Sequence, residues 1–182
     1  DGKKIAPITG LTKLGIEKVP PMVARGVLFD MTQVLGVDYL KAGQTFSVKD
    51  LQAAEKKQGV KVQKGDVVLF HTGWTDAMLE KFPEKWGAEI PGLTPELAQY
   101  LADKEVIAVG SDTYGLDVIP PVNPMEPFQG HVILLQENGI YILEAMNTGP
   151  LAKDKTYEFL FVLGQAKVRG AVQMYINPIA IK

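Results

Sequence analysis

The 182 residues contain no cysteine, which removes thiol nucleophiles, cysteine-based zinc sites, disulfides and thiol redox chemistry. Histidine is nearly as scarce: His71 and His131 are the only two, so any mechanism that needs an imidazole must use one or both. Charge of one sign is not concentrated anywhere. Nineteen Lys and Arg stand against 21 Asp and Glu, a net charge of −2, and no run of like charge is longer than a pair such as Lys56-Lys57. A phosphate backbone would find no basic patch, so no nucleic-acid partner is expected. Apolar stretches such as Val67–Phe70 and Val132–Leu135 are four residues long, far below the roughly 18 of a membrane span. A soluble protein with no membrane partner is the expectation, with cytoplasm and periplasm equally compatible. There is no Gly-x-Ser-x-Gly elbow, no phosphate loop, no Gly-x-Gly-x-x-Gly and no His-Glu-x-x-His.

What is there is an ordinary globular balance, 46% hydrophobic and 22% charged. A chain of this length buries roughly 70% of its unfolded surface, so one domain over residues 1–182 can hold a core without staples. The opening Asp1-Gly2-Lys3-Lys4 has neither an initiator Met nor a basic-then-apolar leader. Asp1 is therefore not expected to be the gene's start, with processing, proteolysis and truncation all open.

Met22–Asp30 reads as a strand whose continuously apolar Val27-Leu28-Phe29 is buried on both faces. Ser47-x-x-Asp50 is a capping box that opens an amphipathic helix over Leu51–Gln58, and Gly59 can end it. Val67–Phe70 is a second buried strand, running into the turn His71-Thr72-Gly73-Trp74. Thr94-Pro95-Glu96 starts a helix that reaches about Lys104, with a hydroxyl at the cap and Pro at the first helical position. Strand Val106–Val109 follows and ends at Gly110-Ser111-Asp112. Pro120–Pro127 carries four prolines and is a surface loop. An Asn138-Gly139 turn, a strand Ile140–Leu143 and two late strands near Phe159–Leu163 and Val172–Ile176 complete a layered α/β class.

The residues able to carry chemistry are few. If Gly130–Leu135 is helical, His131 lies roughly 10 Å before the Asn138-Gly139 turn, while an extended return puts Glu144 roughly 16 Å after it, toward the same end. Glu144 closes a buried strand and must find a cation, a donor or a metal, because an unpaired buried charge costs several kcal/mol. A metal shared with His131 would satisfy it. So would a nearby Arg, with His131 merely capping a helix, and a spacing of thirteen is not a specific signature. His71 and Trp74 follow a buried strand, where side chains either line a pocket or simply pack. Asp112 and Asp117 flank Thr113-Tyr114-Gly115, where an acid caps a turn or faces a ligand. Arg25 and Arg169 read as structural. Trp74 and Tyr114 are able to stack an aromatic ligand but pack as readily.

Four phrases taken together, Arg25-Gly26-Val27-Leu28-Phe29-Asp30, Gly65 through Trp74, Val109-Gly110-Ser111-Asp112-Thr113 and His131 through Asn147, resemble the cyclase family that includes bacterial kynurenine formamidase and isatin hydrolase. The likeness continues through Phe159–Leu163 to Pro178–Ile181. It implies a swivelling β/β/α fold, a mixed sheet with flanking helices, in a homo-oligomeric metal-dependent hydrolase. The implied reaction is hydrolysis of a C–N amide bond in a small aromatic formamide or lactam. Residue by residue, it implies His131 and Glu144 as ligands of a divalent zinc or manganese, with Glu144 also catalytic. Trp74, His71 and Asp112 then belong to the substrate side. The family's earlier His-x-Gly-Thr-His-x-Asp stretch has no counterpart here, so a chain lacking its N-terminal part, with an incomplete metal site, is expected. The competing expectation is a non-catalytic member or fragment that keeps the fold as a binding or assembly module. Ligands supplied across an interface by a partner chain are a third.

Overall fold

A computed structural model describes residues 2–182. Asp1, on which the expectation about the chain's start rests, lies outside them. The strands are β1 (Met22–Asp30), β2 (Thr45–Phe46), β3 (Val67–His71), β4 (Gly92–Leu93), β5 (Ala108–Ser111), β6 (Tyr141–Leu143), β7 (Glu158–Leu163) and β8 (Ile179–Ile181). Six of them form a mixed sheet in the order β6-β5-β3-β1-β7-β8, and β2 pairs with β4 separately. With helices flanking the sheet, this is the α/β architecture expected from the sequence. Among the described residues no helix is long and apolar enough to cross a membrane.

The chain divides into two compact units. The larger, Arg25–Phe159, holds the parallel part of the sheet, in which Phe29 aligns with Phe70 and Phe70 with Ser111. Val27, Leu28 and Phe29 of β1 and Val67, Val68 and Phe70 of β3 are all 0% exposed, as strands covered on both faces must be. The rings of Phe29 and Phe46 flank Phe70, with centroids 6.1 and 4.9 Å away. Helix Val48–Gln58 starts where Asp50 accepts hydrogen bonds from the Ser47 amide and hydroxyl at 2.8 and 2.7 Å, and it stops at Gly59, φ 74°. Helix Pro95–Asp103 begins with the Thr94 hydroxyl accepting from the Leu97 amide and buries Leu97, Ala98, Leu101 and Ala102. Arg25 is structural, as expected: its guanidinium bonds Asp66 at 3.0 Å and Glu158 at 2.7 Å. Burial pushes the Asp66 carboxyl upward in pKa despite that cation.

The smaller unit comprises the chain up to Ala24 and Leu160–Lys182. Here Leu160, Phe161 and Val162 pair antiparallel with Ile181, Ala180 and Ile179.

Two strand expectations shift. β5 is Ala108–Ser111 rather than Val106–Val109. Gly110 lies inside the strand, because a Cβ there would stand 2.7 Å from the Leu143 carbonyl oxygen and 2.8 Å from a Leu69 methyl. The glycine thus permits close strand packing instead of ending the strand. No strand forms at 172–176, where Val172 and Tyr175 are exposed. The pairing positions along β7 are taken by Ile179–Ile181, after Pro178.

Candidate active site

The site gathers at the C-terminal ends of parallel strands, where open α/β sheets bind their ligands. Glu144 follows β6, Asp112 follows β5, and His71 ends β3. His131 arrives differently. The proline-rich loop leads to Phe128, whose φ of 58° turns the chain into the short helix Gln129–His131, which continues as a π-helix over Val132–Glu137. Leu134 anchors that segment, fully buried. Widened turns of this kind recur at functional sites.

The outcome is a three-residue cluster. His131 Nδ1 lies 2.6 Å from Asp117 Oδ2, and Nε2 lies 3.3 Å from Glu144 Oε1. Asp117 also accepts the Gly130 amide at 2.6 Å and the His131 amide at 3.0 Å. The imidazole pKa is pushed up to about 9 by the hydrogen bonds to Asp117 and then Glu144, against an opposing effect of burial. Phe128 packs edge-on to the ring at 5.8 Å. The helix-and-strand count therefore leads to a real contact: His131 and Glu144 do meet, and Glu144 has His131 as its cation. The role of Asp117 is what sequence reasoning missed. Its partners lie 13 and 14 positions away across an irregular loop, and no periodicity reports such a contact.

The pair suits a divalent cation. Two donors each about 2.1 Å from a tetrahedral ion stand roughly 3.4 Å apart, close to the 3.3 Å observed between Nε2 and Oε1. Among the described residues no group of three or more His, Asp or Glu is placed to hold a metal ion; His131 and Glu144 are a pair of possible donors and not a complete set.

The remaining candidates form a second cluster. His71 Nδ1 is 2.8 Å from the Thr148 hydroxyl. Asp112, 2% exposed, accepts from the Thr72 amide and hydroxyl at 2.7 and 2.8 Å and from the Thr75 amide at 3.3 Å. Burial raises the Asp112 pKa, and the nearby His71 charge opposes that. A cleft of about 420 Å³ is lined by Asp38, His71, Asp76 and Lys81, and another of about 440 Å³ by Asp76, Glu80, Asp112 and Asn147. Trp74 lines neither. It is 3% exposed, with its indole N–H donating to the Trp86 carbonyl at 3.4 Å. The Trp86 indole N–H donates to the Thr75 hydroxyl at 2.8 Å, and the Trp86 ring packs at 5.7 Å from Tyr114. Burial, and after it the Glu144 charge, raises the Tyr114 pKa.

Comparison with known proteins gives the class. Residues 6–118 match the family described as "Putative cyclase", and the chain belongs to that family. A crystal structure described as a novel cyclase is 30% identical, with a TM-score of 0.85 over 96% of this chain and 58% of its own. Isatin hydrolase A from Ralstonia solanacearum is 22% identical, with a TM-score of 0.74 over 92% of this chain and 64% of its own. A structure described as a potential metal-dependent hydrolase with cyclase activity is also 22% identical, with a TM-score of 0.63 over 89% of this chain and 67% of its own. The chain thus spans less than two thirds of the first two. No curated protein matches it in sequence.

Proposed function

We propose that this chain carries part of the site of a metal-dependent hydrolase that cleaves the C–N amide bond of an aryl formamide or a related lactam with water. The observation that carries this reading is the convergence of His131 Nε2 and Glu144 Oε1 in a cyclase-family chain. Two similar folds support it, one described as a potential metal-dependent hydrolase and one as an isatin hydrolase; isatin is itself a lactam fused to an aromatic ring. A catalytic zinc has about three protein ligands and one open position, so further donors would join His131 and Glu144, among them residues of another copy in a homo-oligomer.

When bound, zinc or manganese supplies Lewis-acid polarisation and an activated water at neutral pH. The chain's own residues do the rest. Glu144, with a side chain 36% exposed, keeps a second carboxylate oxygen able to take a proton and return it to the departing nitrogen. Trp86 and Tyr114 offer a ring surface on which a flat aromatic substrate stacks. His71 faces one cleft and holds the substrate's polar edge, while Asp112, at the other, acts on the substrate side by holding Thr72 and Thr75 in place. Trp74 acts indirectly, by fixing the Trp86 carbonyl.

The test is metal content per chain by plasma mass spectrometry after dialysis without chelator, followed by hydrolysis assays on an aryl formamide and on isatin. Near-stoichiometric zinc or manganese with turnover is expected. A protein that carries no metal and fails to bind added Zn²⁺ or Mn²⁺ would overturn the reading in favour of a non-catalytic binding or assembly module.

A further inference from the structure

We infer that Asp117 is a positioning residue for His131: its carboxylate accepts a hydrogen bond from Nδ1–H, so that Nε2 is the nitrogen turned toward Glu144 and toward any cation the pair receives. The cation part rests on the function proposed above; the orientation of the ring does not.

The argument begins with where Asp117 is held. Its backbone is pinned by a parallel bridge to Leu93, and the Leu93 amide donates to the Leu116 carbonyl at 3.1 Å. The approach is so close that a Cβ on Gly92 would stand 2.2 Å from the Val118 nitrogen. The side chain, in a residue only 6% exposed, then meets three donors from one turn: the Gly130 amide on Oδ1, and the His131 amide and Nδ1 on Oδ2. A carboxylate held by two backbone amides cannot swing away from the third donor. Asp117 and Glu144 both only accept, so the protonated ring donates to each; on the neutral ring the hydrogen stays on Nδ1, whose contact with the pinned Asp117 is 2.6 Å against 3.3 Å for Nε2 with the half-exposed Glu144. The ring is fixed in orientation and in tautomer, the arrangement by which carboxylates tune histidine ligands. Gly130 is part of the device. A Cβ there would lie 2.8 Å from Oδ1 and 3.0 Å from Oδ2, so any side chain displaces the carboxylate.

Two readouts test this on the purified protein. The first is long-range ¹⁵N–¹H correlation of the His131 ring without metal, in alkaline buffer where the ring is neutral. The wild type is expected to show the Nδ1–H tautomer, and Asp117→Ala to shift toward Nε2–H. The second is calorimetric titration with Zn²⁺ alone, in which Asp117→Ala is expected to bind about 10- to 100-fold more weakly. Gly130→Ala, which keeps the carboxylate but moves it, should follow in both readouts and serves if Asp117→Ala does not fold. Asp117→Asn keeps one acceptor and should fall between. An Nε2–H tautomer in the wild type, or variants with unchanged tautomer and unchanged Zn²⁺ affinity, would overturn the inference. A wild type that shows Nδ1–H but binds no Zn²⁺ upholds the positioning role and sinks only the proposed metal site.

Discussion

The two histidines sit at the same end of the same sheet and live in opposite surroundings. His131, with a side chain 31% exposed, bridges two carboxylates. His71 is 7% exposed and answers a neutral hydroxyl, with its neighbouring acid Asp112 already taken up by the amides and hydroxyl of Thr72 and by the Thr75 amide. In the first region both acids reach the imidazole, Asp117 while also holding two backbone amides; in the second the acid's hydrogen bonds go to Thr72 and Thr75 and none to the imidazole. An imidazole between carboxylates, one of them accessible, can exchange a proton for a cation. A buried imidazole against a hydroxyl is better suited to shape a cleft and orient what enters it.

This contrast is most sharply tested at Asp112. Asp112→Ala leaves the buried amide and hydroxyl of Thr72 and the half-buried Thr75 amide without that acceptor, so a loss of about 3 kcal/mol is expected in chemical denaturation, with Zn²⁺ affinity unchanged. A large loss of Zn²⁺ affinity at full stability would erase the distinction between the regions. Conversely, His131→Ala should weaken Zn²⁺ binding by more than about tenfold, a difference of about 1.4 kcal/mol in binding. Unchanged metal content in that variant would remove His131 from the ligand set.

The same contrast separates what was legible in the sequence from what was not. β1, β3 and helix Pro95–Asp103 could be read because continuous apolar runs and cap residues act locally. The meeting of His131 and Glu144 was legible from counting helical and extended rise about a tight turn, since the helical flank, although widened to a π-helix over Val132–Glu137, and the strand after it are both continuous. Asp117 defeated that arithmetic, because its route to His131 passes through the irregular segment between Val118 and Phe128. Trp86 was missed for a similar reason: its place beside Tyr114 depends on Trp74 and Thr75 from another helix. The misplaced strand at 172–176 shows that β-forming residues make a strand only where their side chains find a surface to pack on, and Val172 and Tyr175 are exposed.

A smaller effect is expected at Thr148. Thr148→Val keeps the shape and removes the hydroxyl that His71 Nδ1 meets at 2.8 Å, so about 1 kcal/mol should be lost on thermal unfolding. Hydrolysis of an aryl amide should suffer in KM more than in kcat if His71 orients substrate. A fall in kcat alone would move His71 from the substrate side to the chemistry, and the two histidines would no longer be so different.

The last test concerns protons at His131 in the metal-free protein. Its folded pKa, pushed up to about 9, lies above the roughly 6.5 of an unfolded histidine. The folded state therefore binds the proton more tightly, and the stabilisation is fully present below about pH 6.5. It declines as pH rises and is lost through pH 9 as the ring deprotonates in the fold. Compared with His131→Gln, in chelator, the wild type should be the more thermostable at neutral pH, with the difference closing in alkaline buffer. A gap that stays constant across that range would mean that the bridge between Asp117 and Glu144 does not hold a charged ring, and the contrast with His71 would then rest on geometry alone.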